Sequence, residues 1–209
     1  GGGSGGGGGA GGGGGGDGAG VVVRLVSNVA RTQESTPGFT ARYGRRVFPY
    51  RLKNIMCFQE CGDDTDVAFL SLVVAEFGPD CPEPNRSKAY VSYIDSVQLF
   101  HCAGCALRGA GCRPAAECSM PDRCKRERKE LVRRVLMGYL DSVGRRGFEC
   151  AYVWAMPPND VHHDYVFHMR PSQQHCPTPQ QLDAWYTKLL SVAQEEGVIA
   201  GFDSNARPE

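Results

Sequence analysis

The sequence predicts an α/β domain, a central mixed β-sheet flanked by helices, and three observations carry that prediction. Runs rich in β-branched and aromatic residues, with period-two patterning, recur at about 49–60, 67–77, 89–100, 149–156 and 164–168. Two stretches with helical spacing of apolar residues, about 122–146 and 179–196, interrupt and follow them. The resulting order is β-β-β-α-β-β-α, that of an α/β domain.

Residues 1–20 are nearly all Gly and cannot bury apolar area against the entropy of ordering them, so a flexible tether is expected there. Residues 21–47 carry weak periodicity and many Arg, Ser and Thr; no element is assigned to them, and they are expected to be flexible. The remainder, 48–209, is expected to form the domain. With 41% hydrophobic residues overall, the chain holds enough apolar material for one sizeable core. Its formal net charge is zero, so no global field draws it toward nucleic acid or a membrane surface. The longest apolar run, Val67-Ala-Phe-Leu-Ser-Leu-Val-Val-Ala75, is far shorter than the roughly 20 residues of a membrane span, and no signal-peptide pattern opens the chain. A soluble, intracellular protein is expected. The chain opens on Gly rather than Met and is read as a piece of a longer protein.

In the third strand Val91, Tyr93, Val97 and Leu99 share a parity and read as its buried face, yet Asp95 falls among them. An inward carboxylate needs a cation or several donors, and Arg128 is one candidate. The Asp80-Cys-Pro-Glu-Pro-Asn85 cluster is the turn before that strand. In the first helix Leu131, Val132, Val135, Leu136, Tyr139, Leu140 and Val143 form one stripe, and Gly147 is its stop. Arg128 lies on the same stripe, a charge aimed inward. Around it Arg123, Lys125, Arg126 and Lys129 gather near the helix N-terminus, where the macrodipole disfavours cations unless an anion binds. The other reading is a solvated basic end with Glu127 and Glu130 as partners. Pro157-Pro158 stops the fourth strand. The last helix has Thr178 as N-cap, Pro179 at its first position, Gln181 completing a capping box and Gly197 past its end. Leu182, Trp185, Tyr186, Leu189, Leu190 and Ala193 are its apolar face, so periodicity makes Tyr186 a core residue whose hydroxyl still needs a partner.

Five of the ten cysteines, Cys102, Cys105, Cys112, Cys118 and Cys124, crowd into about 101–124. Cys102-x2-Cys105 has zinc-like spacing, but the other three supply no second CxxC, so a lineage-specific loop is expected, with zinc as the alternative. Cys57 and Cys150 are expected as buried free thiols in a reducing compartment. His162-His163 reads as a pair in a solvated loop.

Seven segments then stand in a telling order: Phe48-Pro-Tyr-Arg-Leu-Lys53, Glu76-Phe-Gly-Pro-Asp-Cys-Pro-Glu-Pro-Asn85, Tyr90-Val-Ser-Tyr-Ile-Asp-Ser96, Gly138-Tyr-Leu140, Trp154-Ala-Met-Pro-Pro158, Asp164-Tyr-Val-Phe-His168 and Trp185-Tyr186. Together they resemble the catalytic domain of the CREB-binding-protein class of histone acetyltransferases, over roughly 48–200 with one interruption. The resemblance implies an acetyl-CoA-binding acetyltransferase core, incomplete at its C-terminus, that acetylates lysines of histone tails and other proteins. It also implies a nuclear transcriptional coactivator that meets transcription factors. By resemblance Ile94, Asp95 and Ser96 lie along the cofactor, Arg128 meets a phosphate, Trp154 begins a loop over the cofactor, Trp185 binds cofactor and frames the lysine tunnel, and Tyr186 is the general acid. Lys129 and Cys176 stand at cofactor positions where the family has threonine and isoleucine, Gln181 where it has an arginine, and Leu52 where it has a threonine on the substrate side. The family domain continues well beyond the last helix. A non-catalytic relic that binds acetyl-CoA or a protein, and a zinc interaction module built on 101–124, are the alternatives.

Overall fold

The computed structural model describes residues 20–60, 66–102, 120–154, 157, 166–167 and 174–203. Its elements are β1 (Val21–Glu34), α1 (Pro37–Tyr43), β2 (Val47–Glu60), β3 (Asp66–Phe77), β4 (Lys88–Ser96), α2 (Pro121–Arg145), β5 (Cys150–Val153) and α3 (Pro179–Glu195). The strands make one sheet in the order β1-β2-β3-β4-β5. β1 to β4 form an antiparallel meander, and β5 joins parallel to β4 because the connection between them is the α2 crossover.

The core lies between one face of this sheet and the two long helices. Leu72 and Val74 of β3 and Ala89 and Val91 of β4 pack with Leu136, Met137, Tyr139 and Val143 of α2 and Leu189 and Ala193 of α3. A second cluster joins Cys57, Phe69, Leu70, Val97 and Phe100 to Val132. Buried Glu76, 3% exposed, crosses the layers: it accepts from both terminal nitrogens of Arg146 at 2.7 and 2.6 Å, from Lys53 Nζ and from the Tyr139 hydroxyl at 3.4 Å. Burial alone would raise its carboxyl, but the Arg146 and Lys53 charges hold it below the ordinary range.

The structure departs from the sequence reading at several points. β1 occupies 14 residues where no element was assigned. It is a sheet edge with Val23, Leu25, Val26 and Val29 at 42–53% exposure, so burial imposed no alternation on its sequence. Tyr93 is 40% exposed rather than buried, because the register steps from Val74↔Val91 to Val73↔Tyr93 and makes Ser92 a bulge. β4 ends at Ser96 and β5 at Val153, both short of the predicted ends. Val166 and Phe167 lie in no strand, and the rest of the predicted 164–168 strand lies outside the described residues. Cys150 is exposed, since it opens the edge strand β5. Cys57 is fully buried as expected, and burial pushes its thiol up to about 11. α1 also lies in the stretch left without an element, while the two long helices hold as predicted. Thr178 and Gln181 form a reciprocal capping box on α3, and Gly147 follows α2 at φ 86, a conformation glycine adopts without strain.

Candidate active site

β4 and β5 pair over four residues, from Lys88↔Cys150 to Val91↔Val153, and the Trp154 N–H bond to the Val91 carbonyl at 3.1 Å is the last rung. Beyond it β4 runs on to Ser96 while β5 has ended. The parallel pair therefore opens into a cleft of about 660 Å³, lined by β4 on one side, by α2 below and by the start of α3 opposite. All ten residues singled out from the sequence line this one cavity: Ile94, Asp95, Ser96, Arg128, Lys129, Trp154, Cys176, Gln181, Trp185 and Tyr186. Leu52, on β2, is not among its lining residues.

Arg128 is half-buried, and burial draws its pKa down from the usual arginine value. Its Nη1 donates to Ser96 Oγ at 2.8 Å, and its Nε is buried with no hydrogen-bond partner among the described residues. The solvated-end reading holds in part, since Glu127 pairs with Arg123 of the basic cluster, but neither Glu127 nor Glu130 pairs with Arg128. Glu127 takes Arg123 at 2.7 Å, and Glu130 takes Arg133 and Arg134 at 2.7 and 3.1 Å. A half-buried guanidinium with one buried, unmatched nitrogen is costly, and an anion in the cleft would satisfy it. The helix dipole is a smaller factor than the sequence suggested. The cavity takes Arg128, Lys129 and Val132 from α2, residues beyond the first turn, where the dipole has decayed.

Asp95 is 3% exposed, as an inward carboxylate, but Arg128 is not its partner. Its Oδ2 accepts from the Val166 and Phe167 N–H groups at 3.2 and 3.0 Å, so it ties the segment after β5 to β4. Tyr186 is half-buried beside Trp185, with ring centroids 4.9 Å apart and planes at 78°. Burial pushes its hydroxyl up to about 12, so the phenol stays protonated throughout the neutral range. Trp154 stands at the mouth, 57% exposed. Gln181 lines the cleft while its Oε1 accepts from the Thr178 N–H at 2.9 Å.

Gln174 escaped the sequence reading. Its Nε2 donates to the Ser96 carbonyl at 2.7 Å and its Oε1 accepts from the Gln98 N–H at 2.8 Å. It stands in an irregular segment before the α3 cap, so no periodicity could have marked it. Cys102 and Cys124 are buried side by side, with the Cys102 N–H donating to Cys124 Sγ at 3.2 Å. Among the described residues no group of three or more His, Cys, Asp or Glu is arranged to hold a metal. Cys105, Cys112, Cys118 and the His162-His163 pair lie outside the described residues. Among those residues, too, no helix is long and apolar enough to cross a membrane.

The sequence profile of the family described as "Histone acetyltransferase domain KAT3" matches residues 15–108 and 121–207. The chain belongs to this family. The chain is 35% identical over 156 residues to Protein cbp-1 of Caenorhabditis elegans, covering 74% of this chain and 6% of that protein. It is 32% identical over 184 residues to Probable histone acetyltransferase HAC-like 3 of Oryza sativa subsp. japonica, covering 86% of this chain and 13% of that protein. It is 30% identical over 184 residues to Histone acetyltransferase HAC2 of Arabidopsis thaliana, covering 86% and 12%. The chain thus spans a small fraction of these relatives' length. The break in the profile match, residues 109–120, falls inside the cysteine-rich stretch.

Proposed function

We propose that this domain is a protein-lysine acetyltransferase that moves acetyl from acetyl-CoA to lysine amines of histone tails and other proteins, and that it works in the nucleus as part of a transcriptional coactivator on chromatin. The observation that carries the reading is the cleft where β4 and β5 part, with the unmatched Arg128 guanidinium in one wall and the protonated Tyr186 hydroxyl in another.

The residues present suit acetyl-CoA. Its phosphates match a half-buried arginine with a buried, unmatched nitrogen. Its pantetheine amides suit the stretch of β4 beyond the β5 rungs, since strand-edge N–H and C=O groups bond extended amides. When bound, the cosubstrate supplies the thioester. The chain's part is then orientation and proton handling. Arg128 anchors the charged end, β4 aligns the arm, and Trp185, packed on Tyr186, shields the reacting end from water. Tyr186 Oη holds a proton for the departing sulfur, whose conjugate acid resembles a thiol of pKa about 8.5. With the phenol near 12, its hydroxyl acts chiefly as a hydrogen-bond donor to charge developing on sulfur, with complete transfer late. The incoming lysine must be neutral, which costs on the order of 4 to 5 kcal/mol at pH 7 from a pKa of about 10.4.

Transfer of radiolabelled acetyl from acetyl-CoA to a histone tail peptide tests the proposal, with Tyr186→Phe beside the parent. Tyr186→Phe keeps the ring that the α3 face needs and should lower turnover by about 10²- to 10⁴-fold, with CoA affinity within a few-fold of the parent. Full turnover in the variant would remove Tyr186 from the chemistry. CoA binding without any transfer by the parent would favour a binding relic instead.

A further inference from the structure

We infer that Gln174 is a positioning residue for this cleft, a side-chain clamp on the edge of β4 beyond the last β5 rung. The inference rests on the reading of the cleft as the CoA site. In a parallel ladder, a residue opposite position j donates its N–H to the carbonyl of j−1 and accepts from the N–H of j+1. Gln174 makes that pair of bonds with its side-chain amide, to the Ser96 carbonyl at 2.7 Å and from the Gln98 N–H at 2.8 Å. One primary amide thus makes the bonds of one residue of a parallel neighbouring strand. The amide's orientation is forced, because a backbone N–H can meet only Oε1 and a carbonyl only Nε2.

The clamp has a definite place in the cleft. The Trp154 N–H to Val91 carbonyl bond closes β4 at one end, and Gln174 closes it at the other. Between them Ser92 to Asp95 line the cavity. Ser96, which Gln174 holds by its carbonyl, also receives Arg128 through its hydroxyl, so the clamp and the proposed phosphate anchor share one residue. Losing the Gln174 bonds would loosen β4 at the residue that also supports the arginine.

Titration of CoA into the whole chain, at pH 8 and pH 5, tests the inference with Gln174→Glu and Gln174→Leu. A carboxylic acid has the amide's shape: protonated, it accepts from Gln98 and donates to Ser96; ionised, it sets a negative oxygen against the Ser96 carbonyl. That opposition and partial burial raise its pKa above the usual 4.3 or so, which brings its titration into the accessible range. Relative to the parent at each pH, Gln174→Glu should bind CoA about tenfold more weakly at pH 8, with the deficit shrinking to about threefold or less at pH 5. Gln174→Leu should show about the same tenfold loss at both. A residue that serves stability alone would not give this pH-selective loss of affinity. Parent-like affinity in Gln174→Leu, or a Gln174→Glu deficit equal at the two pH values, overturns the clamp while leaving the site standing. A parent that binds no CoA at either pH overturns the site reading and the clamp together.

Discussion

Arg128 is the residue on which the cleft turns, and it shows how a single side chain reports chemistry. Its Nη1 holds Ser96 while its Nε is buried without a partner among the described residues, a costly arrangement that an anion in the cleft would relieve. Glu76 is the counterexample. It too is buried and charged, but Arg146, Lys53 and Tyr139 satisfy it, and its role is to bind β2, β3 and α2 together. Glu76→Gln should therefore lower stability by about 2 to 4 kcal/mol, read by thermal unfolding. The pH sign follows from the lowered carboxyl. Its contribution is complete above the ordinary value of 4.5 and is lost as pH falls through the lower folded value, so the variant's deficit should shrink in acid. A deficit that grows below pH 4 would contradict the network. Tyr186 gives the opposite case, a raised pKa. Since the protonated phenol is the working form and burial pushes it up to about 12, kcat/KM should rise with pH as lysine deprotonates and show no falling limb up to about pH 10. A falling limb near pH 8 to 9 that Tyr186→Phe abolishes would show a far more acidic phenol.

At the scale of elements, legibility followed burial. α3 was readable to its caps because Thr178, Pro179 and Gln181 are local signals that do not depend on the rest of the fold. β3 was readable because it is central and apolar. β1 was not, since an exposed edge strand writes no alternation into its sequence, and Tyr93 was placed on the wrong face because a bulge at Ser92 cannot be seen from parity. The cleft residues were found through the family resemblance and the misplaced charge of Arg128. The partner of Asp95 and the role of Gln174 were not, because both depend on irregular backbone brought in from some 70 residues away. The cysteine-rich stretch belongs to this scale as well. Cys102 and Cys124, which flank most of it, are in contact, so its ends are already held together. Replacing residues 105–118 by a short Gly-Ser linker should shift Tm by less than about 2 °C, as loop length costs little closure entropy. A fall above about 5 °C, reproduced in the parent by a chelator, would instead establish a structural metal.

For the whole molecule, the described fold is a meander extended by one crossover, and its single parallel junction is where the candidate chemistry lies. The meander and the two helices supply a rigid frame, while the early end of β5 supplies the opening. With a formal net charge of zero, the chain has no global field to gather CoA, so local groups must provide the affinity. The most direct measurement is calorimetric titration of CoA into the parent chain and into Arg128→Ala. The account predicts saturable one-to-one binding by the parent and a loss of about 1.5 to 3 kcal/mol in the variant, the scale of a charge-assisted hydrogen bond. Equal dissociation constants in the two proteins, or no binding by the parent, would contradict it.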